Sequence, residues 1–443
     1  MVIRSPDWHT LVLRPTIQST QIGWTVTEEA KKKIVNILTE ESQIRSIATD
    51  LAIKAKQYTE KVKVPEKYQR HHHVFSEEAA QRFPPKRPWD HTINLKPDTL
   101  NIIDCKVYPL TQEEDKALVA FLEEQLKKGY IIPSISPYAS PFFFVKKKDG
   151  KLRPVQDYRK LNEYTIQNRY PLPFIPDLIS QVQDAYIFTK FDVQWGYNNI
   201  QIKAGDEEKA AFKTKYGLFE PQVMFFGLTN SPSTFQTMMN QIFKDIQLRF
   251  LTKGTRIIIY MDDILIATST SLLDHSDAVH AVLDLLREHD LYLKPEKCVW
   301  EATSIDYLGV ILEKGMTCMD PTKIAGIKEW PIPKTVMDIR SFLGFCNFYR
   351  AFIRGFADIA RPLNQLTKKE QVWEWTDKQQ CAFDALRTHV TEEPVFSQPK
   401  LDKPFELEVD ASGFALGAVL LQRKEDNKQH PIGYYSSTLS EVE

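Results

Sequence analysis

Two adjacent carboxylates, Asp262 and Asp263, interrupt an otherwise apolar run, IIIYMDDILIAT, between Ile257 and Thr268. Isoleucine and tyrosine favour extended chain, so the run reads as strand, turn, strand with the acids at the tip. Neighbouring ionised acids repel each other, and burying a carboxylate without a partner is costly. A fold that accepts this segment must either use the acids in a turn, as Asx side chains, or supply positive charge to them. The apolar flanks weigh against a plain turn, because turn aspartates seldom need so buried a setting. A divalent cation answers the repulsion, since hard oxygen ligands are what Mg2+ accepts.

A metal held in this way calls for a further carboxylate from another strand. FTKFDVQWGYNNIQI offers Asp192, at the end of an apolar strand and before a polar, glycine-containing turn. On local sequence alone Asp192 reads equally well as a turn residue. Two metals roughly 4 Å apart can bridge an attacking oxygen and a leaving phosphate oxygen, the arrangement used by polymerases and nucleases.

The 443 residues suffice for roughly three domains. No run reaches the roughly 18 uncharged apolar residues of a membrane span. The opening MVIRSPDWHT lacks the basic-then-apolar layout of a signal peptide. An intracellular protein without a membrane partner is the expectation. The five cysteines are scattered and free of CxxC spacing, which fits reduced, structural thiols and argues against a zinc site. The triplet His71 to His73 lacks a second ligand set and lies in the charged stretch EKYQRHHHVFSEE, so it reads as a solvated loop. A net charge of −1 argues against a surface coated in lysine and arginine, but only weakly, because an enzyme can confine its positive field to one groove. VKKKDGKLRPVQDYRK, from Val145 to Lys160, is locally basic; on charge alone a solvated hairpin tip is as good a reading as an anion site.

Residues 1 to 90 read as an N-terminal extension, partly helical near Thr27 to Lys56 or disordered, with an extended, proline-broken end at FPPKRPWD. TQEEDKALVAFLEEQLKKG is a well-signed helix. Thr111 and Glu114 form a capping box, Leu118, Phe121, Leu122 and Leu126 make an apolar stripe, and Gly129 suits the stop. SPFFFVKKKDGKLRPVQ reads as two strands around an Asp-Gly turn. SPSTFQTMMNQIFKDI has the spacing of a buried helix with Pro232 in its first turn, and HSDAVHAVLDLLREH is again helical. Strands and helices interleave without a regular repeat, which favours an α+β sheet with helices packed on one side. Short helices divided by proline-containing linkers follow from about Pro321. PFELEVDASGFALGAVLLQ and HPIGYYSS then read as three strands.

KKKDGKLRPVQDYRKLN, YPLP, KFDVQWGYNNI, FGLTNSPSTFQ, YMDDILI, YLG and RSFLGFCNFYRAFI occur in this order. That ordered set resembles the polymerase of gypsy-type LTR retrotransposons (Metaviridae), from about Lys86 to the C-terminus. The resemblance implies a right-hand polymerase: fingers and palm over 91–319, thumb and connection helices over 320–400, and an incomplete RNase H-like α/β fragment over 401–443.

Carried over residue by residue, the resemblance implies that Asp192, Asp262 and Asp263 are the catalytic carboxylates, with the backbone carbonyl of Val193 also facing a metal. It implies two Mg2+ ions, with Mn2+ as a substitute. Arg153 would hold the phosphates of the incoming nucleotide, a task suited to a guanidinium fork. Lys147 would assist, in a run of lysines whose register the sequence leaves open. Tyr197 matches the family's aromatic gate beneath the sugar, where a ring clashes with a 2′-hydroxyl; a ring packed under the turn is the plainer reading. Phe226 stands where retroviral relatives carry glutamine, so the nucleotide would be held there by packing. Gly227 would let backbone approach the base or sugar closely. The aromatics Phe342, Phe345, Phe348, Tyr349 and Phe352 recur at helical spacing and read as core.

Asp410 resembles the first metal carboxylate of an RNase H domain. The sequence ends before that fold's further acids, so RNase H activity is expected to be absent. No protease motif or zinc-binding integrase head is visible, and the chain is expected to be a piece of a longer pol polyprotein or a truncated genomic copy. The expected function is RNA-directed DNA synthesis on a template-primer hybrid with dNTPs. A homodimer or other parts of the polyprotein are further partners, and the expected site of action is the cytoplasm, in a virus-like particle, with a nuclear phase. Two rivals stand beside it: a decayed or domesticated fragment that only binds nucleic acid or serves as a scaffold, and a DNA-only polymerase.

Overall fold

The run around the twin acids forms an edge strand and its inner neighbour in a four-stranded antiparallel sheet, and burial on both faces explains why it is continuously apolar. The order is Thr255–Tyr260, Asp263–Thr268, Ile187–Asp192, Val299–Ala302. Side chains alternate between faces along each strand. Phe191, Ile257, Ile259, Ile264 and Ile266 pack under the helices Ser231–Leu251 and Leu272–Glu288. Phe188, Ile258, Leu265 and Ala267 turn the other way, onto Leu178, Val182, Ile305, Tyr307 and Leu312. This α+β layer, with its two long helices on one side, is the palm.

In this computed structural model the described residues are 64–146, 150–182, 184–314, 316–319, 326–369, 371–392, 396–397, 403–411, 415–423 and 427–438, together with two short N-terminal strands. Those strands, Pro15–Gln18 and Gln21–Trp24, pair as an antiparallel hairpin within a separate unit, Met1–Lys63. The helix expected near Thr27 to Lys56 lies outside the described residues.

The second unit begins at Val64, so residues 64–90, read from sequence as part of the extension, fall within it. The reading of His71 to His73 as a solvated loop needs correction. Glu66–Phe75 is a 3-10 helix, and its three-residue period puts Tyr68, His71 and Val74 on one buried face while His72 and His73 stay exposed. Tyr68 stacks on Trp300, with ring centroids 5.0 Å apart. His71 Nε2 lies 3.0 Å from His280 Nδ1.

The fingers are built on Gln112–Lys127, whose Thr111 and Glu114 form the expected capping box. Leu118 and Leu122 enter the core beside Phe142, Phe212, Phe219 and Phe225. Leu126 is exposed instead, and Gln125 takes the buried position one residue earlier. The basic hairpin is Tyr138–Lys146 paired with Leu152–Gln156. Beyond the palm, helices Val336–Phe348, Phe356–Gln365 and Asp377–Glu392 share a core of Ile339, Phe342, Cys346, Tyr349, Leu363, Phe383 and Leu386. Phe342 and Tyr349 are core, as expected, whereas Phe348 is exposed. A three-stranded antiparallel sheet follows: Glu406–Ala411, Ala415–Arg423 and Gln429–Thr438.

Candidate active site

Strand pairing alone brings the acids to one edge of the palm sheet. Asp192 stands directly opposite Asp263 on the neighbouring antiparallel strand, and Asp263 is opposite Tyr260 across the hairpin. Directly opposed residues project from the same face. The tip is therefore the two-residue turn Met261-Asp262. Val193 donates its N–H to Asp262 O at 2.8 Å, which ties the end of the Asp192 strand to the turn. Gly196 lies beside the second acid: a Cβ there would come 3.8 Å from Asp262 Cβ.

Met261 takes φ 55°. A non-glycine residue in this left-handed region costs on the order of 1–3 kcal/mol and persists only where the surroundings over-determine it. Gln236, fully buried on the long palm helix, supplies that restraint. Its Oε1 accepts from Met261 N at 2.8 Å, and its Nε2 donates to Ile259 O at 3.2 Å. One amide thus holds the backbone at Met261 and at Ile259, on the arm that leads into the turn.

The acids feel one another and the lack of water. Burial, above all, pushes the Asp263 carboxyl up to about 6; Asp262 and Asp192 add to the rise while Lys190 and Lys297 oppose it. Asp262 is raised for the same leading reason, with Asp192 contributing. Lys297 Nζ donates to Asp192 Oδ2 at 2.8 Å. Burial disfavours the Lys297 charge, yet its hydrogen bond to Asp192 and the three nearby carboxylates leave its pKa raised.

Among the described residues no group of three or more His, Cys, Asp or Glu side chains is gathered around one point as a finished metal cage. The donor chemistry nonetheless suits a hard divalent ion: Asp192, Asp262 and Asp263 offer only oxygen, two of them with raised pKa values, and a lysine ammonium stands in as cation on the third.

Next to the acids lies a stack of side chains from three segments. Arg153, on the basic hairpin, holds its Cζ 4.3 Å from the centroid of the Phe226 ring. The Tyr197 ring lies 4.7 Å from Phe226, tilted by 56°, and 5.8 Å from Phe235. Burial, reinforced by Asp262, raises the Tyr197 hydroxyl to about 12, so it stays protonated. Gly227 has φ 101°, and a Cβ there would meet Gln156 O at 3.1 Å and Tyr158 Cδ2 at 3.3 Å. Lys147 lies outside the described residues.

Residues 145–312 match the family described as reverse transcriptase (RNA-dependent DNA polymerase), and residues 375–443 match the RNase H-like domain found in reverse transcriptase. The chain carries a reverse transcriptase domain, and Asp192, Asp262 and Asp263 lie within it. The transposon Tf2-3 and Tf2-7 polyproteins of Schizosaccharomyces pombe are each 34% identical to it over 383 residues, 86% of this chain. The chain spans 28% of the length of those relatives. Retrotransposon polyproteins are thus its relatives, as the motif order implied. A foamy viral protease-reverse transcriptase solved with double-stranded DNA shares the fold at a TM-score of 0.72 and 20% identity, covering 85% of this chain and 64% of that one. The same viral protein solved with an RNA/DNA hybrid gives 0.69 and 19%, covering 84% and 49%.

Within the matched segment the structure brings Asp192, Asp262, Asp263 and Val193 together, and sets Arg153, Tyr197, Phe226 and Gly227 beside them. Val193 itself is buried in the palm core. Asp410 is remote in sequence, on Glu406–Ala411 opposite Gly417, within the stretch matched to the RNase H-like domain. Sequence reasoning passed over Lys297 and Gln236. For Gln236 a signal existed: a glutamine amid Phe235, Met238, Met239 and Ile242, all buried, is a polar group needing partners in a helix interior.

Proposed function

We propose that this chain is an RNA-directed DNA polymerase that adds deoxynucleotides to a primer 3′-hydroxyl, on RNA or DNA template, by phosphoryl transfer assisted by two divalent ions. The observation that carries the reading is the register of Asp192 opposite Asp263, beside the Asp262 turn. Mg2+, or Mn2+ in its place, would be held by Asp192, Asp262, Asp263 and the Val193 carbonyl; when bound, it lowers the cost of forming the attacking alkoxide and neutralises the leaving pyrophosphate.

The chain's own residues orient the reactants. Arg153, lying against the Phe226 ring, presents a guanidinium fork to the nucleotide phosphates. The Tyr197 ring, wedged between Phe226 and Phe235, sits beneath the sugar and excludes a 2′-hydroxyl. Lys297 leaves Asp192 Oδ2 free for other partners once it swings away. The foamy viral protein's complexes with double-stranded DNA and RNA/DNA hybrid support a template-primer duplex as the partner, and its binding weakens as salt rises.

Primer extension of oligo(dT) on poly(rA), beside a DNA template, tests the reading, with Asp262→Asn as control. Extension on both templates, lost in the variant, is expected. Silence on both templates would leave only a nucleic-acid-binding scaffold, and extension on DNA alone would make this a DNA-only polymerase.

A further inference from the structure

The amide of Gln236 does more than hold the catalytic turn. Its Nε2 also donates to Asn240 Oδ1 at 2.8 Å, one helical turn further along. Asn240 Nδ2 then donates to the Tyr170 hydroxyl at 2.8 Å. Tyr170 lies in the irregular segment 166–174, most of which is exposed, including Ile166, Leu172 and Phe174. The segment is tied to the same helix at its start: Asn230, at the N-terminus, accepts from Asn168 N at 2.9 Å and donates to Ile166 O at 2.8 Å.

Hydrogen-bond polarity makes this row of groups directional. Met261 N–H and Ile259 C=O together fix which way the Gln236 amide faces, since an N–H needs an acceptor and a carbonyl a donor. The Gln236 Nε2 donor in turn requires the oxygen of Asn240 to face it. That leaves the Asn240 amide nitrogen to donate, so the Tyr170 oxygen accepts and its own O–H remains a donor.

We propose that Tyr170 and Asn240 are positioning residues for the catalytic hairpin, linking contact on the exposed 166–174 segment, through Gln236, to the strained Met261 backbone. The inference rests on the polymerase reading for what touches the segment: the phosphate or base oxygen of a bound template or primer strand. The link itself is a property of the folded chain and stands apart from activity.

Tyr170→Phe removes only the hydroxyl oxygen and keeps the ring, so it tests the link without dismantling the fold. In protein labelled with 13C-methyl methionine, the Met261 signal, assigned by Met261→Leu, is expected to move in Tyr170→Phe and in Asn240→Ala. It should stay in place in Thr237→Ala, which loses a hydroxyl bound to Ser233 O on the same helix. In primer extension Tyr170→Phe is expected to lower kcat roughly tenfold, the weight of one lost hydrogen bond, with KM for dNTP within about twofold. A Met261 signal that ignores both variants would overturn the link, whether or not the chain extends primers. Wild-type protein that extends none would instead overturn the polymerase reading, while the Met261 signal still decides the link.

Discussion

Lys297 Nζ lies 2.8 Å from Asp192 Oδ2, and the same ammonium draws down the pKa of both Asp262 and Asp263. Without metal it is a counter-charge that limits repulsion among the acids. Replacing Lys297 with methionine should therefore destabilise the metal-free protein. Its side chain is about half exposed, 54%, so the cost is held to about 1 kcal/mol by solvent screening. Saturating Mg2+ should erase most of that difference, because the ion supplies the charge instead. Urea unfolding in EDTA and in Mg2+ checks both halves; an equal loss in the two conditions would contradict the role.

Asp263, pushed up to about 6 mainly by burial, makes stability depend on pH with a defined sign. An unfolded aspartate titrates near roughly 3.9, so between these values the folded state binds the extra proton. The contribution is fully present below about pH 4 and is lost as pH rises through about 6. Raised Asp262 works in the same direction. The metal-free protein should lose about 3 kcal/mol on this account between acid and neutral pH. Asp263→Asn should flatten the profile. Activity needs the ionised carboxylate, a form that a bound divalent ion favours, and the variant should fall by about a thousandfold or more. Denaturation midpoints across pH in EDTA, with extension rates over the same range, give the comparison.

These carboxylates were legible in the sequence because the signal is local. Acids set in a strand-turn-strand pattern have few places to go, and alternation along Ile187–Asp192 decides the face. The capping box at Thr111 and the long palm helix were legible for the same reason. Lys297 was not, since its partner lies 105 residues away, and nothing in LKPEKC marks the lysine. His71 was misread because charge was weighed and a three-residue period was not. Leu126 fitted a 3.6-residue stripe, yet the end of the helix turns Gln125 inward.

Phe226 carries two contacts, with Arg153 and with Tyr197. Phe226→Ala should release both at once. The expected result is a rise of about tenfold in KM for dNTP, with kcat less affected, as loss of uniform binding predicts. Tyr197→Val leaves Phe226 and Arg153 in place but removes the ring proposed to lie beneath the sugar. It should admit ribonucleotides, raising rNTP incorporation by about ten- to a hundredfold relative to dNTP, about 1–3 kcal/mol of discrimination. Single-nucleotide kinetics with matched dNTP and rNTP separate the two. A KM change in Tyr197→Val with selectivity intact would remove it from the gate.

Gly227 tests whether close backbone approach is needed at this site. Its φ of 101° is strained for any L side chain, and a Cβ would press on Gln156 O at 3.1 Å, a backbone atom with little room to yield. The Gly227 carbonyl also accepts from Asn162 Nδ2 at 2.8 Å, and Asn162 Oδ1 accepts from Thr229 N at 2.9 Å. The turn is thus pinned on its far side and cannot simply move away from the new methyl. Gly227→Ala should cost about 1–3 kcal/mol of stability. It should also raise KM for dNTP, because whatever displacement it forces begins one residue from Phe226. Thermal unfolding and nucleotide titration of extension rates measure the two effects. An alanine variant with unchanged melting and unchanged KM would show that this backbone has slack, and Phe226 would then owe its position to the Arg153 and Tyr197 contacts alone.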